Sequence, residues 1–313
     1  MQEAVAMSNK TKKMNKYVKD WKKYKNIYIM LIPIVVFYII FHYVPLFGTI
    51  LSFKDYEPTL GVFKSPWVGF KHFENFFGSI FFGRTIKNTL TISITNLIFG
   101  FPAPIILALM INEVGNMKYK KLVQTVTYLP HFISLVVVCS LVKSFVNTNG
   151  VITDFLCSLG MERENLLMKP NLFSTIYVSS GIWQEAGWSS IIYLAALSAI
   201  DVQLYEAARI DGAGKLRQIW SIAIPCIIPT IITLFIMRMG QMMSVGYEKI
   251  ILLYNPTIYD TSDVISTFVY RKGIHDSSWS YSTAVGLFNS VVNFTLLVIS
   301  NKISKKVNGT GLW

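Results

Sequence analysis

Residues 183–193 carry a carboxylate, two indoles, an amide, two hydroxyls and a phenol: Trp183, Gln184, Glu185, Trp188, Ser189, Ser190 and Tyr193. Glu185 is the only charged residue between Pro170 and Ile200. An ionisable group in so apolar a stretch is costly unless it faces a cavity or another helix. Acid–base catalysis would need convergent groups at one face, and this stretch supplies no His, Cys or second carboxylate beside Glu185. Two roles stay open for Glu185, contact with a passing solute or a hydrogen bond between helices. Trp183, Trp188 and Tyr193 suit either packing or contact with a solute. Asn289 and Asn293 lie four residues apart, hence on one helical face, with the same two alternatives. Lys143 and Arg238 stand at the ends of apolar stretches, where long side chains snorkel outward. Cys139, Cys157 and Cys226 are far apart and form no CxxC, so they read as small apolar residues. The four histidines are scattered without an HExxH, and no GxxxxGK[ST] exists to cradle a nucleotide phosphate. No metal or cofactor is therefore expected on this chain.

A second polar constellation spans 201–214, reading Asp201-Val-Gln-Leu-Tyr205-Glu206-Ala207-Ala208-Arg209-Ile210-Asp211-Gly212-Ala213-Gly214. Leu204, Ala207, Ala208 and Ile210 are expected on one face of a short helix, with Glu206, Arg209 and Asp211 on another. Paired alanines form helix well and leave a smooth surface. Gly212 and Gly214 suit a helix C-terminus, where φ > 0 is often needed. So short a helix does not hold alone in water. It docks on a protein partner or lies on lipid headgroups, and both readings stay open.

The elements that must position these residues are membrane helices. The 313 residues are 52% hydrophobic and 15% charged, with mean hydropathy +0.46. A soluble domain carries about 25% charged residues. Such a balance excludes an ordinary soluble enzyme, and the hydrophobicity excludes disorder. Charge-free stretches run over Asn26–Phe53, Asn88–Asn112, Leu122–Val142, Gln218–Met237 and Ser277–Asn301, and the stretch around Glu185 makes six. Each is about the 20 residues that a bilayer requires. Six spans are expected over 26–53, 88–112, 122–146, 171–200, 218–243 and 277–301, within a membrane domain 26–304. A basic arm, 1–25, precedes it and a short tail, 305–313, follows. Prolines 33, 45, 102, 104, 130, 225 and 229 fall inside or beside these runs, so kinked spans are expected. The first apolar run is too long for a signal-peptide core and follows a polar arm, so no cleavable leader is expected.

Net charge is +12. With the N-terminus in the cytoplasm, the inner segments hold 17 basic residues against 6 acidic, and the outer loops 10 against 10. That is the positive-inside pattern. The basicity thus reports orientation and anionic lipid headgroups, not nucleic acid. The arm's Lys10, Lys12, Lys13, Lys16, Lys19, Lys22, Lys23 and Lys25 read as its juxtamembrane part.

Glu206-Ala207-Ala208, three residues, Gly212, nine residues, Ile222, one residue and Ile224-Pro225 resemble the EAA motif of permeases from binding-protein-dependent ABC importers. Ile224 stands where Leu is commoner. Trp67-Val68-Gly69-Phe70-Lys71-His72-Phe73, Asn88-Thr89 and Leu204-Tyr205-Glu206-Ala207-Ala208 are similar to the carbohydrate-uptake branch. Gly246 to Lys249, Leu252 to Pro256, Val264 to Thr267, Tyr270-Arg271, Gly273 and Leu312-Trp313 resemble a subgroup that handles oligosaccharides from plant polysaccharides. The likeness covers roughly 25–313.

The resemblance implies an all-α integral membrane protein of the type I, MetI-like permease fold, with a cytoplasmic coupling helix over about 202–214. It implies that Tyr205, Glu206, Ala207, Ala208, Arg209, Asp211, Gly212, Ala213, Gly214, Ile222 and Pro225 transmit the movement of an ATPase. Glu206 would make polar contacts, the alanines would pack closely, Gly212 would allow the turn and Pro225 would set the start of the fifth span. It further implies a second homologous permease in a heterodimer, a cytoplasmic ATPase dimer carrying ATP and Mg, and an extracytoplasmic sugar-binding protein. The expected location is the bacterial cytoplasmic membrane with both termini inside. The outer segments 143–169 and 238–276, with Asp154, Glu162, Arg163, Glu164, Lys169, Asp260, Asp263, Arg271 and Lys272, suit salt-sensitive docking of that binding protein or are solvated loops. A permease for a peptide or polyamine is the alternative the EAA motif alone admits. A gradient-driven transporter would show repeats with matching intramembrane ionisable groups, which this sequence lacks.

Overall fold

The computed structural model describes residues 2–313, and their side chains except those of 2–17, 19, 22 and 308. Most of the basic arm, including Lys10, Lys12, Lys13, Lys16, Lys19 and Lys22, thus lies outside the described side chains. A helix over Gln2–Tyr38 breaks at Tyr24 (φ −114°, ψ 20°), where composition turns from basic to apolar. From Lys23 the chain runs to Phe53 as α1. The other elements are α2 (Ile80–Asn112), α3 (Met117–Tyr128), α4 (Leu135–Ser158), α5 (Pro170–Ser198), α6 (Val202–Ile210), α7 (Lys215–Met239), α8 (Tyr247–Leu253), α9 (Ile265–Tyr270) and α10 (Trp279–Val307). Among the described residues, α1, α2, α4, α7 and α10 are each long and apolar enough to span a bilayer. α5 joined to α6 makes the sixth, bent by 71° between them.

Several boundaries differ from the sequence expectation. The stretch expected as one span over 122–146 is two helices, α3 and α4, separated by a 3-10 turn at Leu129–Phe132. Pro130 cannot donate to the carbonyl four residues back and its ring crowds that carbonyl, so the helix ends there. Ser134 then starts α4 by accepting from the Val137 N–H. α2 begins at Ile80, not 88, because Thr85, Asn88 and Thr89 are buried against outer-loop residues. Three of the remaining prolines share one solution. Pro45, Pro102 and Pro225 each follow by two residues a π turn, at Ile39–Tyr43, Asn96–Gly100 and Ile219–Ala223. Each turn contains the carbonyl four residues before the proline. Wider winding accommodates the missing N–H without breaking the span.

Three apolar clusters hold the bundle. One joins Ile92, Cys139, Phe173 and Tyr177 to Ile250, Leu253 and Ile258 of the last outer loop. A second packs Ala108 and Ile111 of α2, Tyr193, Leu194 and Leu197 of α5, and Ala223 and Ile227 of α7. A third sets Phe76, Met243, Ile265, Phe268 and Val285 together. α5 runs through the first two and is the axial element. Close approach to it depends on Gly187: a Cβ there would lie 1.9 Å from the Thr127 carbonyl oxygen of α3. α1 differs from every other span, since none of its most apolar window is buried. An apolar surface of that extent is not stable in water; it belongs against lipid or another membrane subunit.

Candidate functional site

α6 starts where the Asp201 side chain accepts from the Gln203 N–H at 2.9 Å, an ordinary N-cap. It ends in a Schellman arrangement: Ala213 N–H donates to Ala208 O at 2.8 Å and Gly212 N–H to Arg209 O at 3.1 Å. Gly212 sits at φ +74°, the left-handed value this motif needs. Gly214 does not share that role, because its φ is −67° and it caps the next helix, at Lys215. Gln218, buried, donates to Ala213 O at 2.7 Å, and Lys215 Nζ reaches Glu113 Oε2 at 3.6 Å. The turn is therefore tied both to α7 and to the end of α2.

No residue of α6 is buried. Tyr205 and Ala208, three apart, are half-buried and form its inner face; Leu204, Glu206, Ala207, Arg209 and Ile210 are exposed. The expected pairing of Ala207 with Ala208 on one face is thus split, since successive helical residues point about 100° apart. Asp211 and Gly214 are exposed, Ala213 and Ile222 half-buried, and Pro225 lies in the first turn after the π turn of α7. Ile210 is 86% exposed and Leu216 74%. A short helix with apolar residues pointing away from its own protein is built to be covered.

Against the middle of α5 lies a cavity of about 870 Å³. Glu185, Trp188, Tyr193, Gln184 and Ser189 line it, facing Asn96 and Phe101 of α2. Trp183 is not in this wall and is about half exposed elsewhere on α5. Asn289 and Asn293 do not line it. Asn293 instead accepts from Met243 N–H at 2.8 Å and donates to Ser244 Oγ at 2.9 Å, fastening α10 to the turn after α7. Asn289 is half-buried on the same helix.

Within α5 Glu185 has no partner. The partner is His131, from the break between α3 and α4, with Nδ1 2.9 Å from Glu185 Oε2. The His131 ring stacks on Trp188 at 4.6 Å and 3°, and Phe132 meets the same indole edge-on at 5.5 Å. The adjacent Pro130 was the only signal of that bend. Two cations also line the cavity, Arg238 of α7 and Lys249 of α8. The snorkelling expected of Arg238 is not what the fold gives it. Lys249 was expected only as part of the Gly246–Lys249 segment, and its place in the cavity carries no local sequence signal. It is buried, donates to Tyr177 O at 3.0 Å and lies 4.8 Å from the Tyr177 ring centroid. Burial pushes its ammonium down to about 8. Gly181 leaves it room, as a Cβ there would stand 3.3 Å from Nζ. Aromatic faces, amides, a carboxylate and cations around one cavity can hold a polyhydroxylated solute. No nucleophile with a base completes a catalytic set among the described residues, and no group of three metal-ligand side chains occurs among them.

The outer-loop charges are largely consumed within the chain. Asp154 pairs with Arg163 at 2.7 Å, Glu164 with Lys169 at 3.1 Å and Lys272 with Asp276 at 2.7 Å. Asp263 is fully buried between Arg84 at 3.1 Å and Arg271 at 2.7 Å. Asn88 donates to the carbonyls of Asp260 and Asp263, both at 3.0 Å. Asp263, Arg84, Arg271 and Asn88 clamp the last outer loop onto the start of α2.

Comparison with known proteins places this geometry. Residues 100–308 match the family described as binding-protein-dependent transport system inner membrane component. The polygalacturonan/rhamnogalacturonan transport system permease protein YteP of Bacillus subtilis is 42% identical over 92% of this chain and 90% of its own. Protein LplB of the same organism is 43% identical over 93% and 92%. In a solved structure of a bacterial ABC transporter that imports the acidic polysaccharide alginate, one chain superposes with TM-score 0.86 at 46% identity, over 94% of this chain and 99% of that one. A second structure holds that transporter with a periplasmic protein bound to an alginate pentasaccharide, matching equally well. Bent α5, the exposed α6 and the family match over two thirds of the sequence agree: this multi-pass membrane protein is a transport subunit belonging to the binding-protein-dependent transport system inner membrane components, with their permease fold.

Proposed function

We propose that this chain forms half of the translocation path of an ATP-driven importer for oligosaccharides derived from plant polysaccharides. An extracytoplasmic binding protein delivers the sugar, and a second, homologous permease supplies the other half of the path. ATP and Mg reside on a cytoplasmic ATPase dimer, and this chain binds no cofactor. Both termini lie in the cytoplasm of a bacterial cell, in keeping with the positive-inside count. The observation that carries this reading is α6: a short helix at the end of a bent span, without a buried residue, its apolar side chains pointing outward. Relatives that carry polygalacturonan or alginate in their names support the sugar class.

In operation, Glu206, Ala207 and Arg209 meet the ATPase, while Tyr205 and Ala208 keep α6 seated on the bundle. Gly212 and the Gln218 bond make the turn stiff, so displacement of α6 passes into α7 and α5 as rigid-body motion. Those helices carry Arg238, Glu185 and Trp188, so the cavity changes its access with the ATPase. The exposed α1 is covered by lipid and the second permease.

The test is an affinity pull-down from native membranes in mild detergent, run beside Gly212→Pro. Proline cannot adopt φ +74° and removes the N–H that donates to Arg209 O. Wild type is expected to bring down a Walker-motif ATPase and a six-span permease, and the variant to keep the permease but lose the ATPase. Absence of both partners from wild type, where a control importer stays intact, overturns the proposal.

A further inference from the structure

Lys249 and Arg238 both face the central cavity, and neither has an ion-pair partner within 4.0 Å among the described residues. The one carboxylate in the same wall, Glu185, is engaged by His131. Lys249 is only 8% exposed. A cation held away from water without a direct ion pair is costly, and in a membrane protein such a group marks a substrate path. A neutral sugar offers these cations hydroxyl acceptors but no counter-charge, whereas an anionic one supplies both. The rest of the wall narrows the class: Trp188, Gln184, Asn96 and Gln241 suit the C–H faces and hydroxyls of pyranose rings.

We infer that Lys249 and Arg238 form a carboxylate-reading site in the translocation cavity, selecting uronate-containing oligosaccharides over neutral ones. This rests on the importer reading above and assigns its specificity to two named side chains. Lys249 is positioned for it. Tyr177 O takes one of its three N–H bonds and Gly181 leaves Nζ uncrowded, so two donors stay free for a carboxylate. Arg238 adds a planar donor fork matched to the same group. Both line the cavity near Tyr177 of α5, so a chain passing along α5 meets the two cations together. The Glu185 carboxylate acts on Lys249 only at a distance, because its direct partner is His131.

The experiment uses the complete transporter in proteoliposomes with its binding protein and ATP. Uptake is measured for trigalacturonate, for its fully methyl-esterified form and for galactose 1-phosphate. The variants are Lys249→Gln, Arg238→Gln and the charge-conserving Lys249→Arg. One binding protein serves every arm, so its own preference cancels in each variant-to-wild-type ratio. Each glutamine variant is expected to lower trigalacturonate uptake at least tenfold, and to raise the ester-to-acid ratio by a similar factor. Lys249→Arg should retain the acid preference, which a merely structural lysine would not require. An unchanged ester-to-acid ratio in both glutamine variants overturns the inference while leaving the importer intact. Preferred uptake of the phosphate ester assigns the two cations to phosphate and overturns the carboxylate assignment. Failure of wild type to take up any sugar refutes the importer reading instead.

Discussion

Gly187→Ala is the sharpest perturbation the fold offers. A Cβ at this position meets the Thr127 carbonyl oxygen at 1.9 Å and its carbon at 2.4 Å. Both are backbone atoms inside α3, so no side chain can swing aside. The nearest tolerable separation is 3.0 Å, so α3 and α5 must part by about 1.1 Å. Overpacking of this kind costs about 1–3 kcal/mol, and a rigid neighbour puts it at the upper end. That corresponds to a fall in Tm of roughly 3–5 °C for a chain of this size. A local consequence follows, because His131 stands four residues beyond Thr127. If His131 moves with α3, its 2.9 Å contact with Glu185 stretches to about 4 Å and is lost. Thermal unfolding of the purified complex should show the fall. A double-mutant cycle with Glu185→Gln should then show that the second change adds almost nothing once the first is present, a coupling of roughly 1 kcal/mol, where independent sites add to within about 0.5 kcal/mol. A melting temperature within a degree of wild type, or strictly additive effects, refutes the claim that this crossing sets the Glu185–His131 pair.

Asp263→Asn should leave Arg84 and Arg271 facing one another across a buried gap. Removing one partner of a buried pair costs about 3–5 kcal/mol, somewhat less here because both guanidinium groups retain contact with water. Protease cleavage within 255–276 should rise, and unchanged cleavage would count against the clamp. Lys249 gives a pH signature. Its folded value, about 8, lies below the ordinary 10.5, so its burial penalty is complete below pH 8. That penalty is relieved between pH 8 and 10.5, where the unfolded chain binds more protons, and stability rises over that window. Lys249→Met should abolish this rise in a pH series of melting temperatures, and its persistence would assign the rise to another group. Gly212→Ala should be milder than the proline variant, since alanine at φ +74° costs about 1–2 kcal/mol and keeps the N–H; ATPase capture should weaken without vanishing, and equal loss in both would move the effect away from backbone conformation.

How much of this was legible in the sequence depends on the range of the interaction. Six apolar stretches and the positive-inside bias are sums over local residues, so composition alone carried them. The turn at 201–225 was equally local. Asp201, Gly212 and Gln218 act on backbone groups within a few residues, and their spacing is the structure. The prolines announced distortions, but whether each became a π turn, as at Pro45, Pro102 and Pro225, or a full break, as at Pro130, depends on what packs beside the freed carbonyl. The cavity was legible only by half. Glu185 and Trp188 stood out because a polar residue in an apolar run is improbable by itself. The places of His131, Lys249 and Arg238 beside the cavity did not, because they lie in which residues far along the chain these side chains face. Asn293 drew notice because a polar group in a span asks for a partner; of its two readings the fold selects the hydrogen bond, with the Met243 N–H. Sequence determined the apolar stretches, the turn and the family pattern, because these follow from burial and backbone hydrogen bonding over short distances; it did not fix where each helix begins or breaks. Tertiary structure alone decided which polar side chains share the cavity, because pairing across helices is fixed by packing at points such as Gly187, where absence of a single carbon sets two backbones in contact.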